Sequence, residues 1–264
     1  MIPGSVLTPT VALARERSLP VHPALAPIFG STVETPGSMS GLIRGHTVAC
    51  VGSAAMSCAL ALAVAPTQTG SWVAIVGIPH IGITAAQHLG VALERTMFVA
   101  VPEPVTTKTA TQQTAPQQTS SRSDLIGALS ALVDGVDMII VSRRLMTSLP
   151  SAVVRRLQAR SQSRGTVLLI VGDPGSVTVD VRLTARSEHW HGLGNGHGHL
   201  QRRLVALELD GRRCGRPRRH SLWLPNDHGS LAETSSTSDL TGRDLTGDVD
   251  TLHDGVVVAL RRTG

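Results

Sequence analysis

The chain has 264 residues, 41% of them hydrophobic and 2% aromatic, with a formal net charge of +5 and a sequence pI near 10.3. That length supports one sizeable core plus tails, and the punctuated apolar runs exclude a fibrous or wholly disordered chain. Tyr is absent and Phe numbers 2, so the core must be built from Val, Leu, Ile and Ala; the basic balance permits acidic partners such as nucleic acid without requiring them.

Residues 1–35 read as an N-terminal arm. VALARER fits a short amphipathic helix, and the prolines of LPVHPALAPIFG forbid a long one. No basic segment followed by an apolar one marks a signal peptide. A core domain is expected over 36–225. It opens with a strand at Thr47–Val51, a turn at Gly52–Ser53 and a helix from Ala54 to Val64 ended by Pro66. The stretch Val48–Ala65 is nearly uncharged and about as long as a bilayer crossing. Its small residues and its Gly-Ser turn favour a buried strand, turn and helix instead, so no membrane contact is expected.

Further strands are expected at Ser71–Val76, Thr96–Val101, Val136–Val141 and Thr166–Val171. Helices are expected at Ile83–Leu89, stopped by Gly90; at Leu125–Val133, capped by Ser123; and at Pro150–Arg164, stopped by Gly165. Residues 106–123 are polar and low in complexity, which suggests a flexible insertion. Strands alternating with helices argue for an α/β fold with a mostly parallel sheet, and MIIV and TVLLIV are continuously apolar, as strands covered on both faces are. The segments Val177–Leu183, Leu204–Leu209 and Ser221–Leu224 then suggest a C-terminal antiparallel extension. From 226 to 264 the chain is polar and reads as a flexible tail. Its closing GVVVALRRTG fits a docking peptide or one more edge strand equally well.

The first strand, turn and helix stand where a nucleotide-hydrolysing fold keeps its phosphate loop. Such a loop needs glycines, a lysine for the β- and γ-phosphates and a hydroxyl for magnesium. Here Gly52 and Ser53 open the loop. Ser57 stands at the second glycine position, Cys58 at the lysine position and Ala59 at the hydroxyl position. The fourth strand ends in Ser142, not in a magnesium-holding Asp, and Ile78-Pro79-His80 follows the second strand where a water-polarising carboxylate is expected. We therefore read a vestigial phosphate loop with no catalytic residues and no cofactor, although a helix N-terminus still attracts anions without a lysine.

Three cysteines, Cys50, Cys58 and Cys214, show no metal-ligand spacing, and their odd number argues against a disulfide framework and for a cytoplasmic chain. Four histidines in HWHGLGNGHGH offer imidazoles, but the glycines suit a hairpin better than a closed metal site, and no metal is expected. Trp190 is expected to pack on the core. Arg202, Arg203, Arg212, Arg213, Arg216, Arg218 and Arg219 form a basic stretch that suits phosphates or an acidic partner. A solvated edge that discourages strand aggregation is the other reading.

The order LIRGHTVACVGSAAMSCALALAVA, GSWVAIVGIPHIGITAAQHLGVALERTMFV and DLIGALSALVDGVDMIIV resembles RecA in layout. With LPVHPALAPIFG, WHGLGNGHGHL and PRRHSLWLP, the chain is most similar to actinobacterial RecA-like accessory proteins of the ImuA type, over about residues 18–225. The 106–123 stretch and the tail after 225 depart from that pattern. The resemblance implies a non-catalytic role in the DNA-damage (SOS) response and translesion mutagenesis. It implies as partners an inactive Y-family polymerase homologue, a C-family polymerase and RecA, and a cytoplasmic, nucleoid-associated place. A weak ATPase and an independent DNA-binding protein are the alternatives.

Overall fold

The structure is a computed structural model that describes residues 18–29, 41–101, 116–193, 198–214 and 216–234. Its strands are β1 (Ser18–Pro20), β2 (Gly41–Ile43), β3 (Thr47–Val51), β4 (Val73–Val76), β5 (Thr96–Val99), β6 (Met138–Ser142), β7 (Val167–Val171), β8 (Val181–Leu193), β9 (Gly198–Asp210), β10 (Arg218–Trp223) and β11 (Ala232–Glu233). The α-helices are α1 (Ala26–Phe29), α2 (Ala55–Gln68), α3 (Ile83–Leu89), α4 (Pro116–Gly135), α5 (Arg143–Ser148) and α6 (Ser151–Arg164).

Nine strands form one sheet in the order β11-β10-β9-β8-β3-β7-β6-β4-β5, and β1 pairs with β2 separately. From β8 across to β5 every pairing is parallel, whereas β8–β9, β9–β10 and β10–β11 are antiparallel. The mixed α/β fold with a mostly parallel sheet, flanking helices and an antiparallel extension is thus the one expected. Helices cover both faces of the parallel part, which is why its strands are apolar at consecutive positions. One face packs Val48, Cys50, Leu169 and Ile140 against α2 and α3, and the other packs Ile139, Val141, Leu168 and Ile170 against α4, α5 and α6.

Several boundaries differ from expectation for physical reasons. Residues 18–29, expected within an arm, lie in the core, where Leu19, Leu25, Ile28 and Phe29 are fully buried. The prolines only shorten the elements there. The VALARER stretch lies outside the described residues, as does the closing GVVVALRRTG. Pro66 sits inside α2 rather than ending it; in the last turn it forfeits one hydrogen bond, and Thr69 closes the helix by donating to Ala65 and Pro66. α4 begins at Pro116, inside the stretch expected to be a flexible insertion and ahead of the Ser123 cap. β8 starts later and runs longer than the expected 177–183. β11, inside the expected tail, pairs with β10 through Trp223 and Ala232. The first of the chain's two compact units ends at Glu233. The stretch 48–65 is β3 and α2, and no helix among the described residues is long and apolar enough to cross a membrane.

His46, just before β3, is buried, and its Nδ1 has no hydrogen-bond partner among the described residues. Burial lowers its pKa from the usual 6.5, against the pull of Asp180 and with the push of Arg213. His22 and His191 shift the same way, chiefly through burial. In the folded state these rings stay neutral near pH 6.5, while the unfolded chain takes up protons there. Their contribution is complete above the unfolded pKa and declines as pH falls through about 6.5. The urea midpoint is expected to drop between pH 7.5 and pH 5.5, and His46→Gln is expected to shrink that drop. An undiminished drop would assign it to the other two rings.

Candidate functional site

In a parallel sheet, ligands bind beyond the carboxyl ends of the strands, where successive connections leave a strand in opposite directions. β3 is that strand here. The connection after β3 leads towards β4 and β5, and the chain returns from β7 to β8 on the other flank. The turn that the sequence reads as a vestigial phosphate loop follows β3, at that position.

Its geometry is that of a closed turn. Gly52 has φ +99°, and a Cβ there would lie 2.3 Å from the Ala185 carbonyl oxygen on β8. The Ala54 amide donates to that carbonyl at 3.0 Å, and the Ser187 amide donates to Ser53 Oγ at 2.9 Å. The loop is thereby stitched to β8. α2 already begins at Ala55, three residues before the lysine position, and the Cys58 amide donates to Ala54 at 2.9 Å within the helix. A phosphate cradle needs amides that point outward from an open loop. Here helix formation has consumed that loop. Gly52→Ala is expected to cost about 2–3 kcal/mol, from the positive φ and the clash with the β8 backbone, read as a lower denaturation midpoint.

Cys58 and Ala59 are fully buried. Cys58 faces Cys50, and a hydrogen bond between the thiols, with burial, pushes the Cys50 thiol upward. The lysine position therefore points into the core. Ser57 remains partly exposed, and its Oγ accepts a 2.7 Å hydrogen bond from Arg203 Nη2. Arg203 Nε donates to the Leu224 carbonyl at 2.8 Å, and the guanidinium lies 5.0 Å from the centre of the Trp190 ring. Only 8% of Arg203 is exposed, so it does not belong to a solvent-facing basic stretch. Burial lowers its pKa from the usual arginine value. A cation thus stands at the start of α2 after all, supplied by β9; its distance of 146 residues from Ser57 kept it out of sequence view.

Two polar groups at strand ends serve local structure. Ser142 caps α5, its Oγ accepting from the Leu145 amide at 3.2 Å. Asp173, after β7, accepts from the Gly175 amide and lies 3.9 Å from Arg182.

The remaining arginines do not form one patch. Arg202 is half-buried over the Trp223 ring at 4.3 Å and lies 3.7 Å from Asp227. Arg213 pairs with Asp180 at 3.3 Å and Arg219 with Glu208 at 3.2 Å, while Arg212 and Arg216 are exposed at the β9–β10 turn. Arg202 lies four residues into β9 and Arg212 two residues past its end, about 30 Å apart at roughly 3.3 Å per residue. Arg202 is on the side of the turn after β3; Arg212 lies at the opposite edge of the sheet.

The described residues of the glycine-rich histidine stretch lie in the antiparallel strands β8 and β9, paired out to Leu193 and Gly198, as the expected hairpin requires. His189 and His191 meet edge-to-face at 4.7 Å, and His191 meets Trp223 at 5.0 Å. Among the described residues no three His, Cys, Asp or Glu side chains converge to hold a metal. Trp190, expected in the core, is 38% exposed; Trp223, at 4%, is the buried one. A bulge between Ser187 and His189 pairs Trp190 with Arg203, and the ring is exposed because β8 runs on there past Thr184, the last residue that pairs with β3.

The family model described as the MT3502 N-terminal domain matches residues 36–176, which span β2 to β7 and the vestigial loop. An uncharacterised protein of Mycobacterium tuberculosis, Rv3395c, is 31% identical over 137 residues, 51% of this chain and 55% of that protein. The chain thus spans about half the length of this curated relative.

Proposed function

The chain belongs to the MT3502 N-terminal domain family, and we propose that it is a RecA-like accessory protein of the ImuA type that binds partners rather than turning over nucleotide. The observation that carries this reading is the helix start at Ala55 with Cys58 facing the core: no lysine can reach a phosphate from that position. The mycobacterial relative is consistent with an actinobacterial accessory group. On this reading the protein serves the DNA-damage response and translesion mutagenesis in the cytoplasm, at the nucleoid. Its partners are an inactive Y-family polymerase homologue, a C-family polymerase and RecA.

The test is a pair of measurements on the full chain. Magnesium-dependent ATP turnover is expected to stay at background, and the purified Y-family homologue is expected to be retained on immobilised protein. Turnover that disappears on changing Ser57 or Cys58 would sink the non-enzymatic reading, and loss of partner retention would sink the adaptor role. Arg203 at the start of α2 favours a second reading, nucleotide binding without hydrolysis. Equilibrium titration with ATP decides it: tight binding strengthened by magnesium supports that reading, and its absence removes it.

A further inference from the structure

The six parallel strands begin at one edge of the sheet, opposite the vestigial loop, and the short segments that lead into them carry a row of arginines. Arg44 precedes β3 and bonds Asp137 Oδ1 at 2.8 Å. Arg164 ends α6 just before β7, and with Arg160 it grips Asp134. Hydrogen bonding from Arg160, with the charges of both arginines, holds that carboxyl down at about 2, so it stays ionised and does not release them. Arg156 continues the line one turn back along α6, and Arg156, Arg160 and Arg164 line an open groove.

The β9–β10 turn reaches the same edge. Asp180, which precedes β8, accepts from the Thr47 amide at the start of β3 and pairs with Arg213. Arg212 and Arg216 extend beyond it. At the far end of the row, Trp72 precedes β4, is 39% exposed and carries Arg95 over its ring at 5.3 Å. Strands about 4.8 Å apart spread these groups over roughly 30 Å. The row has more arginines than carboxylates; Asp134, Asp137 and Asp180 each pair with a guanidinium, and Glu94 and Asp210 also lie at this edge.

We propose that this edge binds single-stranded DNA without sequence preference. Arginines spaced along a line match a phosphodiester backbone, and the exposed Trp72 ring offers a stacking face for an unpaired base, which a duplex does not present. An acidic protein partner fits less well, because the row has one aromatic anchor at its end and none at its centre, where binding energy between proteins concentrates. This deepens the adaptor reading by giving it a nucleic-acid surface separate from Arg202 and Arg203.

The test uses the full chain and a fluorescent 30-nucleotide oligothymidine, titrated across a salt series. Combined Arg156→Gln, Arg212→Gln and Arg216→Gln is expected to weaken binding at least tenfold. Three lost phosphate contacts lower the steepness of the salt dependence by about 2, at roughly 0.7 per contact for single strands. Trp72→Ala is expected to weaken binding about tenfold with the steepness unchanged. Arg202→Gln, about 30 Å away along β9 at roughly 3.3 Å per residue, is expected to leave affinity within twofold. Matching circular dichroism and melting curves establish that each variant is folded. The proposal is overturned if the triple variant binds within twofold of the parent, if Arg202→Gln weakens binding as much, or if polyglutamate displaces the oligonucleotide equally well per charge. A chain that binds the oligonucleotide and fails to retain the polymerase homologue would end the adaptor role and leave this surface standing.

Discussion

Cys58→Lys is expected to unfold the domain rather than to restore a phosphate site. Cys58 is fully buried on α2, against Cys50 of β3. Lysine adds length that the packed interior can take up only by shifting its neighbours, at about 1–3 kcal/mol. It also brings an ammonium with no carboxylate to meet it. An uncompensated buried charge costs several kcal/mol more, and the nearby Arg203 guanidinium adds like-charge repulsion. The sum, about 5 kcal/mol or more, rivals the whole stability of an ordinary domain. The measurement is a thermal melt of the purified variant beside the parent, followed by ATP titration. A Cys58→Lys protein that melts at the parent temperature and binds ATP would show that the position faces a usable site, and the reading of a collapsed loop would fall.

Phe29→Ala is expected to lower the unfolding free energy by about 3–5 kcal/mol, the usual cost of emptying a buried phenylalanine site. Phe29 is fully buried at the end of α1, and the same segment places Leu25 and Ile28 in the core. The second phenylalanine, Phe98, is 39% exposed on the edge strand β5, so Phe98→Ala is expected to cost under about 1 kcal/mol. Urea denaturation of the two variants decides the matter. Equal losses would mean that residues 18–29 are no part of the core.

The site was legible in the sequence in one respect and hidden in another. The positions of Cys58, Ala59 and Ser142 relative to the strand ends could be read, because they are fixed by short distances along the chain. The Arg203–Ser57 bond could not, since it joins β9 to α2 across the sheet and no local pattern marks it. The same limit made Arg202 to Arg219 look like one basic stretch. The rest of β9, up to Asp210, separates Arg202 and Arg203 from the arginines of the β9–β10 turn, and burial of one side of β9 takes Arg203 out of solvent.

The sequence by itself determined the layered α/β plan. Continuous apolar runs can be buried only in a sheet covered on both faces, and Gly90 and Gly165 end α3 and α6 in the left-handed conformation. Only the tertiary structure decided which surfaces are available. Trp190, expected in the core, is exposed because it stands on β8 beyond the last residue that pairs with β3. Prolines in 18–29 mark irregular backbone, but only packing against β9 and β10 makes that segment core. The arginine row at the strand starts comes from segments far apart in the chain; parallel pairing brings their beginnings to one edge, and that alignment exists only in the folded sheet.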